Sequence, residues 1–383
     1  MTLLRNFDKF VNTPETWEPP AAEEYDAEQE NLWSWMLDEG CRDQYVTREG
    51  PSTNVFWNTR DRASAVESRE NWSDAGVAWS PRGTYLATFH RRGIALWGGP
   101  KWKRLARFSH NGVRYIDFSP CERYLVTLST EAPDTPKDPQ AIIIWDIKTG
   151  QKKRGFQSVK SDFWPVFKWS HDDKYFAKLG ENLISVYETP SMGLLDKKSI
   201  KIDGVVDFRW SPTDNLLSYW VPEEGHRPAR VVILAIPSRE EVAARNLYSV
   251  KECKMNWQEN GDYLCVKVDR FTRSKKGQFT NFELFHLREK LVPCDSLEIK
   301  DQIEAFAWEP VGDKFAIIHA NAGRCFVSFY QLQAGGVTLL KTFDKMTADS
   351  IFWSPRGQYC VIAGMADLGG TSPFPYPMRA PFP

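Results

Sequence analysis

Several signatures of enzymes and membrane proteins are missing from this chain of 383 residues. No GxSxG stretch occurs, so there is no strained nucleophile elbow of the hydrolase kind. No GxxxxGK[ST] or GxGxxG loop is present to cradle a phosphate. The six histidines (90, 110, 171, 226, 286 and 319) are dispersed, with no HxxxH and no His/Cys pairing at metal-ligand spacing. The expectation is a protein without catalytic residues, metal or cofactor. No apolar run approaches the roughly 18–20 residues that cross a bilayer. Met1–Phe10 has neither the basic-then-apolar design nor the cleavage site of a secretory signal. Seven cysteines, an odd and scattered set without a CxxC pair, suit a reduced intracellular protein, and the cytoplasm is the expected compartment. The sequon Asn71-Trp72-Ser73 then reads as chance. Charge of one sign is also lacking: 49 Lys and Arg face 50 Asp and Glu, for a net −1. No global field draws the chain to nucleic acid or to an anionic membrane, so any such contact needs a local patch.

What the chain does contain is a phrase repeated seven times. An aromatic residue is followed by Ser, Glu or Gln, usually Pro, a turn, and a hydrophobic run. VAWSPRGTYLATF begins at Val77 and IDFSPCERYLVTL at Ile116. FKWSHDDKYFAKL begins at Phe167, FRWSPTDNLLSYW at Phe208, MNWQENGDYLCVK at Met255, FAWEPVGDKFAII at Phe306 and IFWSPRGQYCVIA at Ile351. The anchor aromatics Trp79, Phe118, Trp169, Trp210, Trp257, Trp308 and Trp353 are 39 to 51 residues apart. A period of 40–50 residues with strand-like content and no helical periodicity indicates a β-propeller. A hydrophobic share of 42% and an aromatic share of 14% supply the inter-blade packing this fold needs. The fold class expected is all-β, a WD40-like propeller with six full blades and a partial seventh.

Each phrase reads as an inner strand, a Pro-x-Gly or similar turn, and a second strand. Third strands follow at Ile94–Trp97, Ala141–Ile147, Leu183–Glu188, Arg230–Ile236, Asn281–Leu287 and Phe326–Leu332. Trp145-Asp146 is the lone WD dipeptide, so these are degenerate repeats recognised by their period. Three segments result: residues 1–40, an acidic, proline-bearing linker with a short helical stretch at Asn31–Asp38 (anchor Trp33 or Trp35); residues 41–364, the incomplete propeller; and residues 365–383, a proline-rich tail expected to be disordered. The expectation is an open arc with a bare edge near Val361–Gly364; the alternative is a closed seven-bladed ring, in which the strand-like runs Asp43–Arg48 and Thr53–Asn58 complete the seventh blade.

Ser170-His171-Asp172 spells a triad but sits in one turn, where neighbours do not meet in triad geometry; a solvated turn is expected. Basic clusters are better candidates. Lys101, Lys103 and Arg104 (with Arg107) lie on a fourth strand, Lys152, Lys153 and Arg154 follow a turn, and Arg273, Lys275 and Lys276 lie in a loop. A solvated face explains each; contact with an RNA phosphate backbone is the sharper reading. Trp33, Trp35, Trp164 and Trp220 lie outside the anchor position and are candidates for partner contact.

YLATFHRRGIALWGG (Tyr85–Gly99), IDFSPCERYLVT (Ile116–Thr127), QAIIIWDIKTGQKKRGF (Gln140–Phe156), YETPSMGLLDKKS (Tyr187–Ser199), NGDYLCVKVDR (Asn260–Arg270) and FAWEP (Phe306–Pro310) together resemble the B subunit family of eukaryotic translation initiation factor 3. LLRNFDKFVNTPETWEPP (Leu3–Pro20) is similar to that family's linker. The resemblance runs from about residue 3 to about 364. It implies a non-enzymatic scaffold that binds the small ribosomal subunit and other subunits of the factor during translation initiation, with rRNA or mRNA as a further partner and no membrane. It also implies a nine-bladed plan, preceded by an RNA-recognition motif that recruits the A subunit and a loosely attached subunit. A helical segment that recruits the I and G subunits follows. Neither flanking segment is seen in this sequence, so it is expected to be a version truncated at both ends, in which ribosome contact by the propeller is the part carried. The alternatives are another propeller adaptor, such as one resembling eukaryotic initiation factor 2A, a propeller that gates an enzyme's substrate, or an inert short isoform.

Overall fold

The computed structural model describes residue 32, residues 42–59, 63–157, 164–272, 277–333 and 335–364, and the backbone of 376–378. Among these, strands make eight antiparallel sheets, each ordered as the chain runs. The first is β1 (Gln44–Glu49), β2 (Ser52–Trp57) and β3 (Ser64–Glu70). The second is β4 (Val77–Trp79), β5 (Leu86–His90), β6 (Gly93–Gly98) and β7 (Lys103–Ser109); the third is β8 (Val113–Phe118), β9 (Tyr124–Ser129), β10 (Ile142–Asp146) and β11 (Lys152–Phe156). The fourth joins β12 (Phe167–Trp169), β13 (Tyr175–Gly180), β14 (Leu183–Glu188) and β15 (Gly193–Leu194), with β16 (Ile200–Lys201) on β14. Then come β17 (Asp207–Trp210), β18 (Leu216–Val221), β19 (Ala229–Ala235) and β20 (Glu241–Leu247), followed by β21 (Val250–Trp257), β22 (Tyr263–Phe271), β23 (Gln278–His286) and β24 (Cys294–Ile299). The last two are β25 (Gln302–Trp308), β26 (Lys314–Asn321), β27 (Arg324–Gln333) and β28 (Gly336–Met346), then β29 (Ser350–Trp353), β30 (Cys360–Ala363) and β31 (Tyr376–Met378).

The chain divides into two compact units, Met1–Phe176 with Tyr187–Gly193, and Ala177–Val186 with Leu194–Pro383. In the first, Leu32, Phe89, Leu96, Phe108, Leu125 and Ile143 share one buried cluster, and Phe156, Phe167, Trp169 and Phe176 another. In the second, Val231, Ile233, Leu264 and Val266 form one cluster, and Phe282, Phe315, Ile317 and Tyr330 the next. Third strands such as β10 are buried along their whole length, as a strand covered on both faces must be.

The anchor phrase has a mechanical explanation. The residue after each aromatic closes the turn between the first two strands. Ser119 donates its N–H to Tyr124 O at 3.0 Å, and its Oγ accepts Tyr124 N–H at 3.0 Å. Ser80 and Tyr85, Ser170 and Tyr175, and Ser354 and Tyr359 repeat both bonds. Three residues further on the backbone is left-handed: Gly83, Gly261, Gly312 and Gly357 occupy it freely, but Glu122 and Asp173 occupy it as well, with φ of 60° and 57°. Those two carboxylates reach back to the preceding turn. Glu122 accepts Arg82 N–H at 2.7 Å; Asp173 accepts Ser119 Oγ–H at 2.5 Å and Cys121 N–H at 3.0 Å.

Where the turn-closing residue is long, the relation is reversed. Gln258 Nε2 donates to Gly312 O at 2.7 Å, and a Cβ on Gly357 would lie 2.5 Å from Glu309 Oε1. The long side chain of Glu309 thus fills the space that a side chain at position 357 would need.

The structure adjusts the strand reckoning in two places. Asp43–Arg48 and Thr53–Asn58 do not complete the seventh repeat: as β1 and β2 they pair with each other, Gln44 opposite Trp57, and β3 makes them a sheet of their own. Sequence reading passed over β3 because SAVESRE is polar and alternates weakly. In the seventh repeat, Tyr376–Met378 of the proline-rich tail lies on β30 with Cys360 opposite Met378. Asn31–Asp38 falls outside the described residues except Leu32, which is fully buried.

The turn geometry makes a testable demand. Gly357→Asp should destabilise by about 2–3 kcal/mol, because it sets a second carboxylate against that of Glu309 and strains the left-handed backbone. Adding Glu309→Ser recreates the Ser119–Asp173 arrangement. The double variant should be more stable than the sum of the single changes predicts by about 1 kcal/mol or more, read from urea unfolding. Strict additivity would reject the coupling.

Candidate macromolecular interface on the outer strands

The basic candidates separate once their partners are seen. Lys103 and Arg104 open β7 opposite Gly98 and Trp97, Lys101 stands just before them, and all three are exposed with no ion pair among the described residues. Lys153 is also exposed and unpaired there. Lys152 instead holds Asp138 at 2.9 Å, and this hydrogen bond keeps the Asp138 carboxyl below its ordinary range. Arg154 donates to the carbonyl of Met192 and stacks over Phe156 at 4.8 Å and Tyr187 at 5.1 Å. It holds the unit together and is not offered to a partner. Arg273, Lys275 and Lys276 lie outside the described residues.

A β-bulge explains why Lys153 faces out. Ile144 pairs with Arg154 and Trp145 with Lys152, so Lys153 is the extra residue. The outer strands of four other sheets bulge at the same place, leaving Val66, Leu105, Val242 and Leu340 unpaired. Lys153 is the sole polar residue of the five.

The aromatic candidates fare differently. Trp220 is core, 7% exposed among Ala229, Val231 and Leu264; a tryptophan on a second strand, flanked by buried Val221 and by Tyr219, is covered from both faces. Trp164 stacks on Tyr115 at 5.7 Å. Trp33 and Trp35 lie outside the described residues. Anchor aromatics pack back on the preceding sheet: Trp169 stacks on Tyr124 at 5.4 Å and Trp308 on Tyr263 at 5.6 Å. The indole of Trp308 donates to Asn256 O at 2.9 Å, and that of Trp353 to Ala307 O at 3.3 Å.

Ser170-His171-Asp172 is not a triad. Ser170 is buried, which corrects the expected solvated turn, and it donates to Asp172 at 2.9 Å. His171 Nδ1 has no partner. The histidine that does matter was unmarked by spacing. His110 is buried, with Nδ1 2.7 Å from Thr127 Oγ1 and Nε2 2.8 Å from Gln140 O, and Trp145 Nε1 donates to the same Thr127 Oγ1 at 2.8 Å. His90, Thr88 and Trp97 repeat this chain in the preceding sheet. The signal available was the lone WD dipeptide: its Trp implies a hydroxyl on the neighbouring strand, and the hydroxyl a histidine beyond.

Among the described residues no group of three or more His, Cys, Asp and Glu is placed to hold a metal, and no helix is long and apolar enough to cross a membrane.

Antiparallel sheets, mostly of four strands, repeated in chain order and tied to their predecessors by anchor indoles such as Trp257, Trp308 and Trp353, define a WD40-type β-propeller. A WD40 domain of Sif2 shares the fold at a TM-score of 0.50 and 16% identity over 85% of this chain, and a structure described as a eukaryotic initiation factor does so at 0.69 and 18%, over 84% of this chain and 78% of its own. The family described as eukaryotic translation initiation factor eIF2A matches residues 245–376. The B subunit of eukaryotic translation initiation factor 3 from Xenopus laevis is 52% identical over 98% of this chain and 54% of its own length. Over its matched length the chain belongs to the family of that B subunit, and it spans about half the length of the curated relatives it matches.

Burial drives the His110 imidazole from its ordinary 6.5 down to about 4, more than the hydrogen bond to the Gln140 carbonyl raises it. The unfolded chain takes up this proton below about 6.5, and the folded one refuses it until about 4. The stabilisation is complete above pH 6.5 and should fall by up to roughly 3 kcal/mol as pH drops from 6.5 toward 4. His110→Gln should flatten the dependence of Tm on pH across that window; an unchanged slope would place the sensitivity elsewhere.

Proposed function

We propose that this chain acts as a non-catalytic scaffold of the translation initiation factor 3 complex in the cytoplasm, docking on the small ribosomal subunit through the exposed cations of its outer strands. The observation carrying this reading is 52% identity to a B subunit of that factor, sustained over 98% of the chain. The eIF2A likeness, limited to residues 245–376, also lies with initiation factors but covers the last repeats only.

The chemistry is one of surfaces. Lys101, Lys103, Arg104 and Lys153 are unspent by internal pairs among the described residues, so binding a phosphate backbone breaks no existing contact. Each such contact releases condensed counterions, giving a salt-dependent affinity from a protein with almost no net charge. Faces of repeated sheets held rigid by anchor indoles suit contact with other subunits of the factor, which need a platform more than a pocket.

Co-sedimentation of the purified chain with small ribosomal subunits tests the reading. Binding is expected at low salt and should weaken steeply as salt rises. Lys101→Glu with Lys103→Glu and Arg104→Glu should lower affinity by about tenfold or more and flatten the salt slope by about 2. Lys152→Glu should matter less, because that ammonium is already paired. Absence of wild-type binding at low salt would overturn the ribosome-docking reading.

A further inference from the structure

Second and third strands are joined by two residues between β5 and β6, β13 and β14, and β26 and β27, but by twelve, residues 130–141, between β9 and β10. Asp134 bridges Pro139 across that long loop, so Thr135-Pro136-Lys137-Asp138 forms its tip. We propose that Thr135 is a phosphorylation site for a proline-directed kinase, and that its phosphate masks the neighbouring cations Lys152 and Lys153 of β11.

A hydroxyl residue before proline recurs in this chain, and burial separates the copies. Six Ser-Pro or Thr-Pro pairs lie among the described residues. Ser80, Ser119 and Ser211 are at most 3% exposed, and their Oγ atoms accept backbone N–H groups within the closing turns. Ser354 accepts Tyr359 N–H in the same way, and Thr189 donates to Asp173 O at 2.8 Å. Both are half-buried. Thr135 is the exposed acceptor of the six, and Pro136 and Lys137 beside it are exposed too. Its Oγ1 stands 3.3 Å from both N and O of Asp138, beyond the roughly 2.7–2.8 Å of a firm hydroxyl bond. The tip can therefore enter a kinase cleft without unmaking a strand. In that reaction Thr135 Oγ1 attacks the γ-phosphorus of Mg-ATP and the bond to ADP breaks. The hydroxyl proton passes to the kinase's catalytic aspartate.

The loop lies along β11, which gives the phosphate its partners. Glycine at 155 leaves room for Pro139 O, which a Cβ there would overlap, and Lys152 holds Asp138 at 2.9 Å. Phosphorylation adds a charge of about −1.5 to −2 and three strong acceptors three residues from that ion pair. Asp134 and Asp138 repel the new anion, leaving Lys137 and the cations of β11 to receive it. Lys152 is then shared by two anions, and Lys153, unpaired among the described residues, gains one.

The site and the masking stand apart from ribosome docking. The folded full chain is incubated with Mg-ATP and, in separate reactions, a cyclin-dependent kinase and a mitogen-activated protein kinase, and its phosphopeptides are mapped by mass spectrometry. Thr135 should be modified, and Ser80, Ser119 and Ser211 only after denaturation. Pro136→Ala, a change at an exposed tip that leaves Tm unaltered, should abolish the modification. Acetic anhydride should then acetylate Lys152 and Lys153 about threefold less in the phosphorylated chain, measured against Lys101 and Lys103. Thr135 left unmodified by both kinases, its modification surviving Pro136→Ala, or Ser80, Ser119 or Ser211 modified as readily in the folded chain would overturn the site. Unchanged acetylation of Lys152 and Lys153 would overturn the masking, whether or not the chain binds ribosomes.

Discussion

The turn that opens each sheet is the constraint on which the other contacts rest. A first strand of three to eight residues has few ladder bonds of its own, so its link to the second strand must be made locally. The residue after the anchor aromatic supplies that link through its own N–H and, in the serine copies, through Oγ as well. With the turn closed, the anchor indole is aimed at the preceding sheet, and the left-handed position either reaches back with a carboxylate or vacates space as glycine. Ser119 with Asp173 and Glu309 with Gly357 are two solutions of one packing problem. Asp173 bonded to Ser119, and Gln258 bonded to the Glu309 and Gly312 carbonyls, satisfy buried polar groups of adjoining turns; an orphaned one would cost about 1–3 kcal/mol.

That coupling accounts for what the sequence made legible. The anchor aromatics and the hydrophobic run behind them are dictated by burial, so their spacing exposes the fold class and six of the sheets to within a residue or two. The alternation of Ser, Glu and Gln after the anchor looks like drift when each repeat is read alone. It becomes regular only between repeats, because its partner lies 48 to 54 positions away, as Gln258 does from Gly312 and Glu309 from Gly357. Local reading misses any rule whose two halves are so far apart. The polar strand β3 was missed for a related reason: its order comes from pairing with β2, and its own residues have little preference for a buried face.

The candidate site was legible only as composition. Six basic residues of two outer strands look alike in sequence, yet Lys152 and Arg154 are spent on Asp138 and on Met192, Phe156 and Tyr187. A bulge turns Lys153 outward between them. Availability for a partner is a property of what remains after internal pairing, and no count of lysines reveals it. Trp220 makes the same point in reverse, since an aromatic outside the repeated position proved to be core.

Charge is handled differently inside. Glu283, 3% exposed on its side chain, meets Arg270 at 3.0 Å and Arg245 at 3.3 Å across three strands, and Lys267 meets Asp269 at 2.6 Å beside Thr280. Burying such pairs gains little net stability, because desolvation offsets most of the attraction. Their effect is on register: a slip of β23 by one residue would turn Glu283 to the opposite face and leave two arginines without it. A sheet fixed in register by internal ions can let the composition of its outer strand vary without losing its place. The division of labour follows from that. Buried carboxylates such as Glu283 specify position, even by engaging an outer-strand cation as with Arg245, and the cations available to a partner are those, such as Lys103, Arg104 and Lys153, that the fold does not need.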